Sequence, residues 1–489
     1  MQQLSAMDAS FVYLETPTTP MHIGSLAIYD PSTAPNGKWR FKEVLAFIES
    51  RLDGARAFRQ KLVRVPLDLD HPYWIEDPDF DLEYHVRHIA LPEPGDWRQL
   101  CILTARLHAR PLDLTRPLWE FHIIEGLDDI EGIPKGSIAL LSKVHHAAID
   151  GVSGVEITTA LHDLEPDAGP RDFGVTWKPG SKPTDAELLA RAHINALRQP
   201  FTMLDVLARG VPGLSKAASG LLARDLKLPV TSLAPDTVLN KKISAHRVFD
   251  GVLFALDDIK AVRALVEGAT VNDVVLATIG GALRAYLAGR DALPSENLTA
   301  MAPISVRTAD EKSAAGNQVS AMVVDLGTTI ADPVERLGHV HRKTQESKEL
   351  TNAVGARTLA RMSELMPGAL FGLGARLYTR TGLANAHAPA VNCGVTNVPG
   401  PPMPLYFAGA KLVAQYGTVP LFDGTGLVNV AYSYNGMLTI SFTADRDALP
   451  DPQNYADALR ESFAALKRAA DGSAAPAPKK RKRKAVEAA

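Results

Sequence analysis

Cysteine is nearly missing from this chain: Cys101 and Cys393 are the only two in 489 residues. They supply neither a disulfide framework nor a zinc-binding pattern, and so sparing a use fits a reducing compartment. No run of about 18 uninterrupted apolar residues occurs, so no membrane-spanning helix is expected and any membrane contact would be peripheral. The opening MQQLSAMDASFVYLE has no basic stretch leading into a long apolar one, which argues against a secretory signal. Charge of one sign is not in excess either, with a formal net charge of -3. That balance hides an asymmetry. Lys479 to Lys484 reads KKRKRK, and residues 1–478 hold 46 basic against 54 acidic residues. A basic body able to grip nucleic acid is excluded, whereas the tail suits a solvated end or attraction to anionic lipid.

Several catalytic signatures are also missing. There is no H-E-x-x-H for a zinc protease and no G-x-x-x-x-G-K-[ST] phosphate loop. There is no G-x-S-x-G elbow, since GVSGV at 151–155 does not match it, so a serine hydrolase of that kind is excluded. What is present is the composition of an ordinary folded protein, 46% hydrophobic and 22% charged. The length calls for two or three compact units with a core large enough to need no disulfide or metal.

Strand-like and helix-like segments alternate over residues 1–165. MHIGSLAIYD reads as a strand, FKEVLAFIESRL as a helix, and WRQLCILTARLH as an amphipathic helix closed by Pro111. LWEFHIIEGL and GSIALLSKVHH read as two strands joined by a hairpin loop, and GVSGVEITTALHDL as the helix that follows. Residues 166–240 change character. Pro and Gly punctuate their start, and 196–227 mixes apolar residues with Arg198, Arg209, Lys216, Arg224 and Lys227 against only Asp205 and Asp225. This stretch reads as a helical crossover packed on the body or as an interfacial helix on lipid. Alternation resumes over 241–470, where TVNDVVLATIGGALRAYL is a strong helix with Thr270 or Asn272 as cap. Two halves of similar rhythm suggest a pseudo-duplicated α+β fold with a cleft between them. A basic, disordered tail is expected over 471–489.

The stretch SKVHHAAIDGVSG, residues 142–154, sits where a buried strand gives way to a helix. Imidazole accepts and returns a proton near neutral pH, which makes His146 the candidate general base. Asp150 follows four residues on, placed to pair with His146 or to hold the loop, and Gly151 permits a tight turn. His145 is better suited to fixing the loop than to chemistry. No protein nucleophile accompanies these residues, so a base here would serve to activate a substrate's own hydroxyl.

HHAAIDG resembles the HHxxxDG motif of coenzyme A-dependent acyltransferases and condensation domains. The remaining landmarks narrow the resemblance to the bacterial wax ester synthase/acyl-CoA:diacylglycerol acyltransferase family. They are LSAMDASFVYLETPTTPMHIGSLAIYD, RPLWEFHIIEGL, TVNDVVLATIGGALRAYL, APISVR, GNQVS and TNVPGPPMPLYFAGAKL, in that order. Together they span roughly residues 1–465 and leave the basic tail outside.

The resemblance implies an α+β fold of two chloramphenicol-acetyltransferase-like, condensation-domain-like halves with a channel between them. It implies acyl-CoA as co-substrate, no bound cofactor or metal, and diacylglycerol or a fatty alcohol as acceptor, giving triacylglycerol and wax ester. It also implies a cytoplasmic enzyme, peripheral to the inner face of the membrane or to lipid inclusions. Within it His146 is the base, His145 its support, Asp150 the residue that orients the motif loop and Gly151 its turn. Pro117, Leu118 and Trp119 are candidates for shaping the acyl channel, with plain core packing as the alternative. Asn272 and Asp273 are candidates for binding near the cleft, with helix capping as the alternative. Asn397, Pro399 and Gly400 read as a tight loop. A condensation-type enzyme with a carrier-bound acyl donor shares the motif, but the chain shows no carrier-domain signature. A lipid-surface protein with a degenerate site is a further alternative, and the intact motif argues against it.

Overall fold

A computed structural model describes residues 1–149, 153–174, 177, 180–198, 234–305, 319–354 and 389–474. The elements of the first half are β1 (Gln2–Gln3), α1 (Ala6–Leu14), β2 (His22–Asp30), α2 (Phe41–Glu49), β3 (Gln60–Val63), β4 (Tyr73–Glu76), α3 (Leu82–His85), β5 (Val86–Ala90), α4 (Trp97–His108), β6 (Trp119–Leu127), β7 (Ser137–His145) and α5 (Ser153–Leu161). A helix over 185–198, α6, follows. The second half holds β8 (Arg247–Ala255), α7 (Leu256–Arg263), α8 (Val271–Ala288), β9 (Thr299–Ser305), β10 (Val319–Asp325), α9 (Pro333–Val354), β11 (Cys393–Pro399), β12 (Tyr406–Phe407), β13 (Ala410–Thr418), β14 (Leu427–Tyr434), β15 (Met437–Asp445) and α10 (Pro452–Ala474).

Three sheets organise these elements. The first six-stranded sheet runs β12-β13-β2-β7-β6-β5, the second β10-β9-β11-β14-β15-β8, and a small one β1-β4-β3. Each large sheet is mixed, as α+β folds with crossover connections allow. Strand β7 lies in the middle of the first sheet, antiparallel to β2 and β6. Its apolar run IALL is buried on both faces, as a central strand requires. On one face Ile138, Leu140 and Val144 join Trp119, Phe121, Val44, Ile48 and Leu161. On the other, Ala139 and Leu141 join Leu100, Ala105 and Leu107 of α4, with Phe249 of β8 in the same cluster. The second sheet packs its core against α7, α8, α9 and α10.

Sheet and chain divide differently. Strands β12 and β13 belong to the second half of the chain, yet β13 pairs with β2 and completes the first sheet. From above, Thr439 and Ser441 of β15 donate hydroxyl hydrogen bonds to the carbonyls of Gln415 (2.7 Å) and Gly417 (2.8 Å) on β13. The two units are thus interlocked rather than strung in series. Other bonds join them: Trp97 Nε1 donates to Asp250 (2.7 Å), His108 Nε2 to the Val419 carbonyl (3.0 Å), and Arg247 to the Thr18 carbonyl.

Two expectations change. Asn397 and Pro399 lie in β11 rather than in a loop. Pro399 pairs with Ser433 of β14, and the described pairing of β11 with β9 ends at Gly394. Helix α10 runs to Ala474, so residues 471–474 continue it instead of opening the tail, because adding a turn to an anchored helix costs little. Residues 475–489, and 199–233, which hold most of the basic stretch, lie outside the described residues.

One close approach sets a limit on the first sheet. A Cβ on Gly24 of β2 would stand 2.3 Å from the Ser142 carbonyl oxygen and 2.5 Å from Thr418 Oγ1. Gly24→Ala must therefore spread β2 from β7 and β13, at a cost of about 1–3 kcal/mol. A lower thermal unfolding midpoint than that of the wild type is the expected result; an unchanged midpoint would refute the close packing.

Candidate active site

The motif histidines sit where β7 ends. His145 is the last residue of the strand and His146 opens a single 3-10 turn, His146–Ala148. Two backbone bonds hold the exit. His145 N–H donates to the Leu118 carbonyl at 2.9 Å, and His146 N–H to the Met21 carbonyl at 2.8 Å. These acceptors immediately precede β6 and β2, the strands that flank β7, so the turn is tied on both sides.

His145 is fully buried, and both its ring nitrogens are engaged. Nδ1 accepts the Ala147 backbone N–H at 3.1 Å, and Nε2 lies 2.7 Å from Glu15 Oε2. An N–H can only donate, so Nδ1 is the lone-pair nitrogen and Nε2 carries the proton given to Glu15. His146 differs. Its Nδ1 is buried and has no hydrogen-bond partner among the described residues. The Phe11 ring stacks on the imidazole, with centroids 3.9 Å apart and planes 12° from parallel. Burial, helped by the nearby His145, pushes the His146 pKa down to about 4, against an opposing contribution from its own backbone. The ring is therefore neutral, with a lone pair to offer, at pH 7.

The sheet face below His145 is polar and closed. His22, opposite His145 in the β2–β7 register, donates from Nε2 to the His108 carbonyl at 2.7 Å. Burial and the His108 and Lys143 charges lower the His22 pKa well below its usual value, and burial takes His108 to about 3. Lys143, also buried, donates to the Arg110 carbonyl (2.8 Å) and lies 3.4 Å from Glu120. Burial alone would raise the Glu120 pKa, but His122, with Nε2 3.4 Å from the carboxylate, and the Lys143 charge outweigh it and hold Glu120 at about 2.

The other expected residues fall into place around this turn or away from it. Pro117, Leu118 and Trp119 are all buried. Leu118 packs with Ala147 and holds His145 through its carbonyl, while Trp119 Nε1 donates to the Phe58 carbonyl at 3.0 Å. Asp273 caps its own helix: Thr270 and Asp273 form a reciprocal capping box at the start of α8. His341 Nδ1 of α9 also meets Asp273 Oδ2 at 3.0 Å. Asn272 accepts from Asn397 Nδ2 at 3.4 Å. Asp150 and Gly151 lie outside the described residues. Among those described, no cluster of His, Cys, Asp and Glu could hold a metal ion, and no helix is long and apolar enough to cross a membrane.

Fold and histidine pair together are those of an HHxxxDG acyltransferase. Residues 4–275 match the wax ester synthase/diacylglycerol acyltransferase catalytic domain, and 315–467 the C-terminal domain of the same family. A relative from Mycobacterium tuberculosis (strain ATCC 25618 / H37Rv), named "Putative diacylglycerol O-acyltransferase", is 36% identical over 467 residues, 95% of this chain and 99% of that one. Among solved structures, the wax ester synthase/diacylglycerol acyltransferase of Marinobacter aquaeolei VT8 superposes with a TM-score of 0.67 at 29% identity, covering 96% of this chain and 100% of that one. The starter condensation domain of rhizomide synthetase shares the fold, with a TM-score of 0.54 at 13% identity over 96% and 95% of the two chains. The chain belongs to the wax ester synthase/diacylglycerol acyltransferase family and is an acyltransferase.

Glu15, Phe11, Lys143 and His341 were not singled out by the sequence reading. Glu15 and Phe11 stand in the opening segment that carries part of the resemblance, but nothing local pairs Glu15 with a residue 130 positions away.

The buried neutral histidines tie stability to pH. His22, His108, His146 and His162 all have folded pKa values below the usual 6.5, chiefly through burial. Below pH 6.5 the unfolded chain binds protons that the folded one refuses, so stability is full above that pH and falls as pH drops toward about 4. Unfolding midpoints measured from pH 7.5 to 4.5 should decline steadily below 6.5; a flat profile would contradict neutral burial.

Proposed function

We infer that this enzyme moves a long-chain acyl group from coenzyme A to the hydroxyl of diacylglycerol, giving triacylglycerol, with long-chain alcohols as second acceptors giving wax esters. The names of the relatives support the acceptor class, and the acyl-CoA donor rests on the family resemblance. The observation that carries the mechanism is the contrast between the two histidines: both nitrogens of His145 are occupied, while His146 Nδ1 has no partner among the described residues and the ring is neutral. In this mechanism His146 takes the proton of the acceptor hydroxyl. The alkoxide oxygen attacks the thioester carbonyl carbon, the C–S bond breaks, and the imidazolium returns its proton to the thiolate. No acyl-enzyme forms, and holding both substrates beside one base supplies much of the rate. Asp150 orients the motif loop and Gly151 gives its turn, roles that rest on the resemblance. Asn272, Asp273 and the 117–119 segment act as supports of the cleft.

His146→Ala is expected to lower acyl transfer by about 10²–10⁴-fold, with the circular dichroism spectrum of the folded protein kept. The assay sets one labelled acyl-CoA against diacylglycerol and hexadecanol side by side. Full activity in the variant would end the base assignment. A strict need for a carrier-protein-bound donor would favour the condensation-type reading instead.

Diacylglycerol resides in lipid, so the enzyme must reach a lipid surface, at the inner face of the membrane or on lipid inclusions. A feature of the small sheet supports such contact. Leu67 is 89% exposed in a left-handed turn (φ 58°), with Leu69 51% exposed beside it. Asn195 of α6 bonds to Asp70 and Tyr73, next to the exposed Ile194 and Leu197. The basic sequence of 196–227 and the KKRKRK tail add charge of the right sign for anionic lipid. Sedimentation with phosphatidylglycerol liposomes should weaken in Leu67→Ser/Leu69→Ser. Equal sedimentation of the full chain and one lacking 475–489 would clear the tail of any part.

A further inference from the structure

Helix α1 touches both motif histidines at once. Its buried Ala9, Val12 and Tyr13 form one apolar cluster with Leu118 and Ala147, so the helix is docked on the turn that His146 opens. Phe11 lies in the last turns of α1, and Glu15 is the extended residue that caps its C-terminal end. Phe11 lies flat on His146, and Glu15 takes the Nε2 proton of His145. The same Glu15 oxygen also accepts the Met21 N–H at 3.2 Å, while the Met21 carbonyl receives the His146 N–H. Glu15 thereby closes a ring of bonds that runs through Met21, His146, Ala147 and His145.

We propose that Phe11 and Glu15 are positioning residues of the acyl transfer, a clamp by which α1 sets the ring plane of His146 and the tautomer of His145. The reasoning is steric and chemical. A buried imidazole has two broad χ2 wells and two neutral tautomers, and each wrong choice misdirects a lone pair. With its proton on Nε2 held by Glu15, His145 must leave Nδ1 bare, and only a bare Nδ1 can receive Ala147 N–H. That bond pins the turn of which His146 is the first residue. The flat stack with Phe11 then leaves His146 one plane in which to lie. Glu15 touches no reacting atom in this scheme, and neither does Phe11; both act through the histidines. The clamp rests on the assignment of His146 as the base, but its first test does not.

That test is the tautomer of His145 in the wild-type enzyme, read from ring-nitrogen shifts in protein labelled at histidine, without any substrate. A proton on Nε2 supports the clamp; a proton on Nδ1, or on both nitrogens, overturns it whatever the enzyme acylates. The second test is kinetic. Glu15→Ala and Phe11→Ala should each lower kcat about 10-fold or more, the scale of a misplaced catalytic group, with KM for acyl-CoA within about 2-fold of wild type. Glu15→Gln, which keeps an acceptor oxygen, and Phe11→Tyr, which keeps a flat ring, should recover most of the loss. Phe11→Leu, which keeps bulk without a flat face, should not. Wild-type kcat in the alanine variants would overturn the proposal. So would an equal loss in the conservative and alanine variants, since that would make α1 a packing element only.

Discussion

The chain leaves strand β7 tethered on both sides, and that constraint fixes the place of the histidine pair. At the exit, His145 gives its backbone N–H to the segment that leads into β6, and His146 gives its own to the segment that leads into β2. The two neighbours of a central strand thus each take one bond from the histidine pair. Buried amides must find partners, so the pair is tethered as firmly as the sheet itself. A surface loop carrying the same seven residues would have no such register.

The interlock of the two halves extends that rigidity. Because β13 pairs in plane with β2 and receives hydroxyl bonds from β15 above it, the first sheet cannot be completed without the second half of the chain. Trp97 with Asp250 and Arg247 with Thr18 join the same two units on the face where α4 and β8 meet. Thr18 lies in the segment between α1 and β2, which also carries Met21. The seam and the histidine turn therefore share a piece of backbone.

Electrostatics complete the site. The face around His145 is polar and buried, and burial holds His22, His108 and His146 neutral while the Glu120 carboxylate stays charged beside Lys143 and His122. A neutral imidazole is what a proton acceptor requires, and a low-dielectric surround makes each remaining dipole count for more than it would in water. Burial is what keeps the His146 imidazole neutral.

The HHAAIDG spacing, the alternation of the β6 and β7 segments and the ordered landmarks were legible in the sequence, because local chemistry and period carry them. So was the helix of residues 271–288, with Thr270 or Asn272 as cap, of which the structure takes Thr270. The α+β class followed from rhythm alone. That both ring nitrogens of His145 are engaged was not legible, because that depends on Glu15, 130 positions away, and on a backbone amide that reaches Nδ1 only once the turn has formed. Nor was the membership of β13 in the first sheet, since strand pairing across the halves leaves no local mark. Residue types and their short-range order are properties of the chain itself. The choice of partners among distant groups is made by burial, which exists only after the chain has folded.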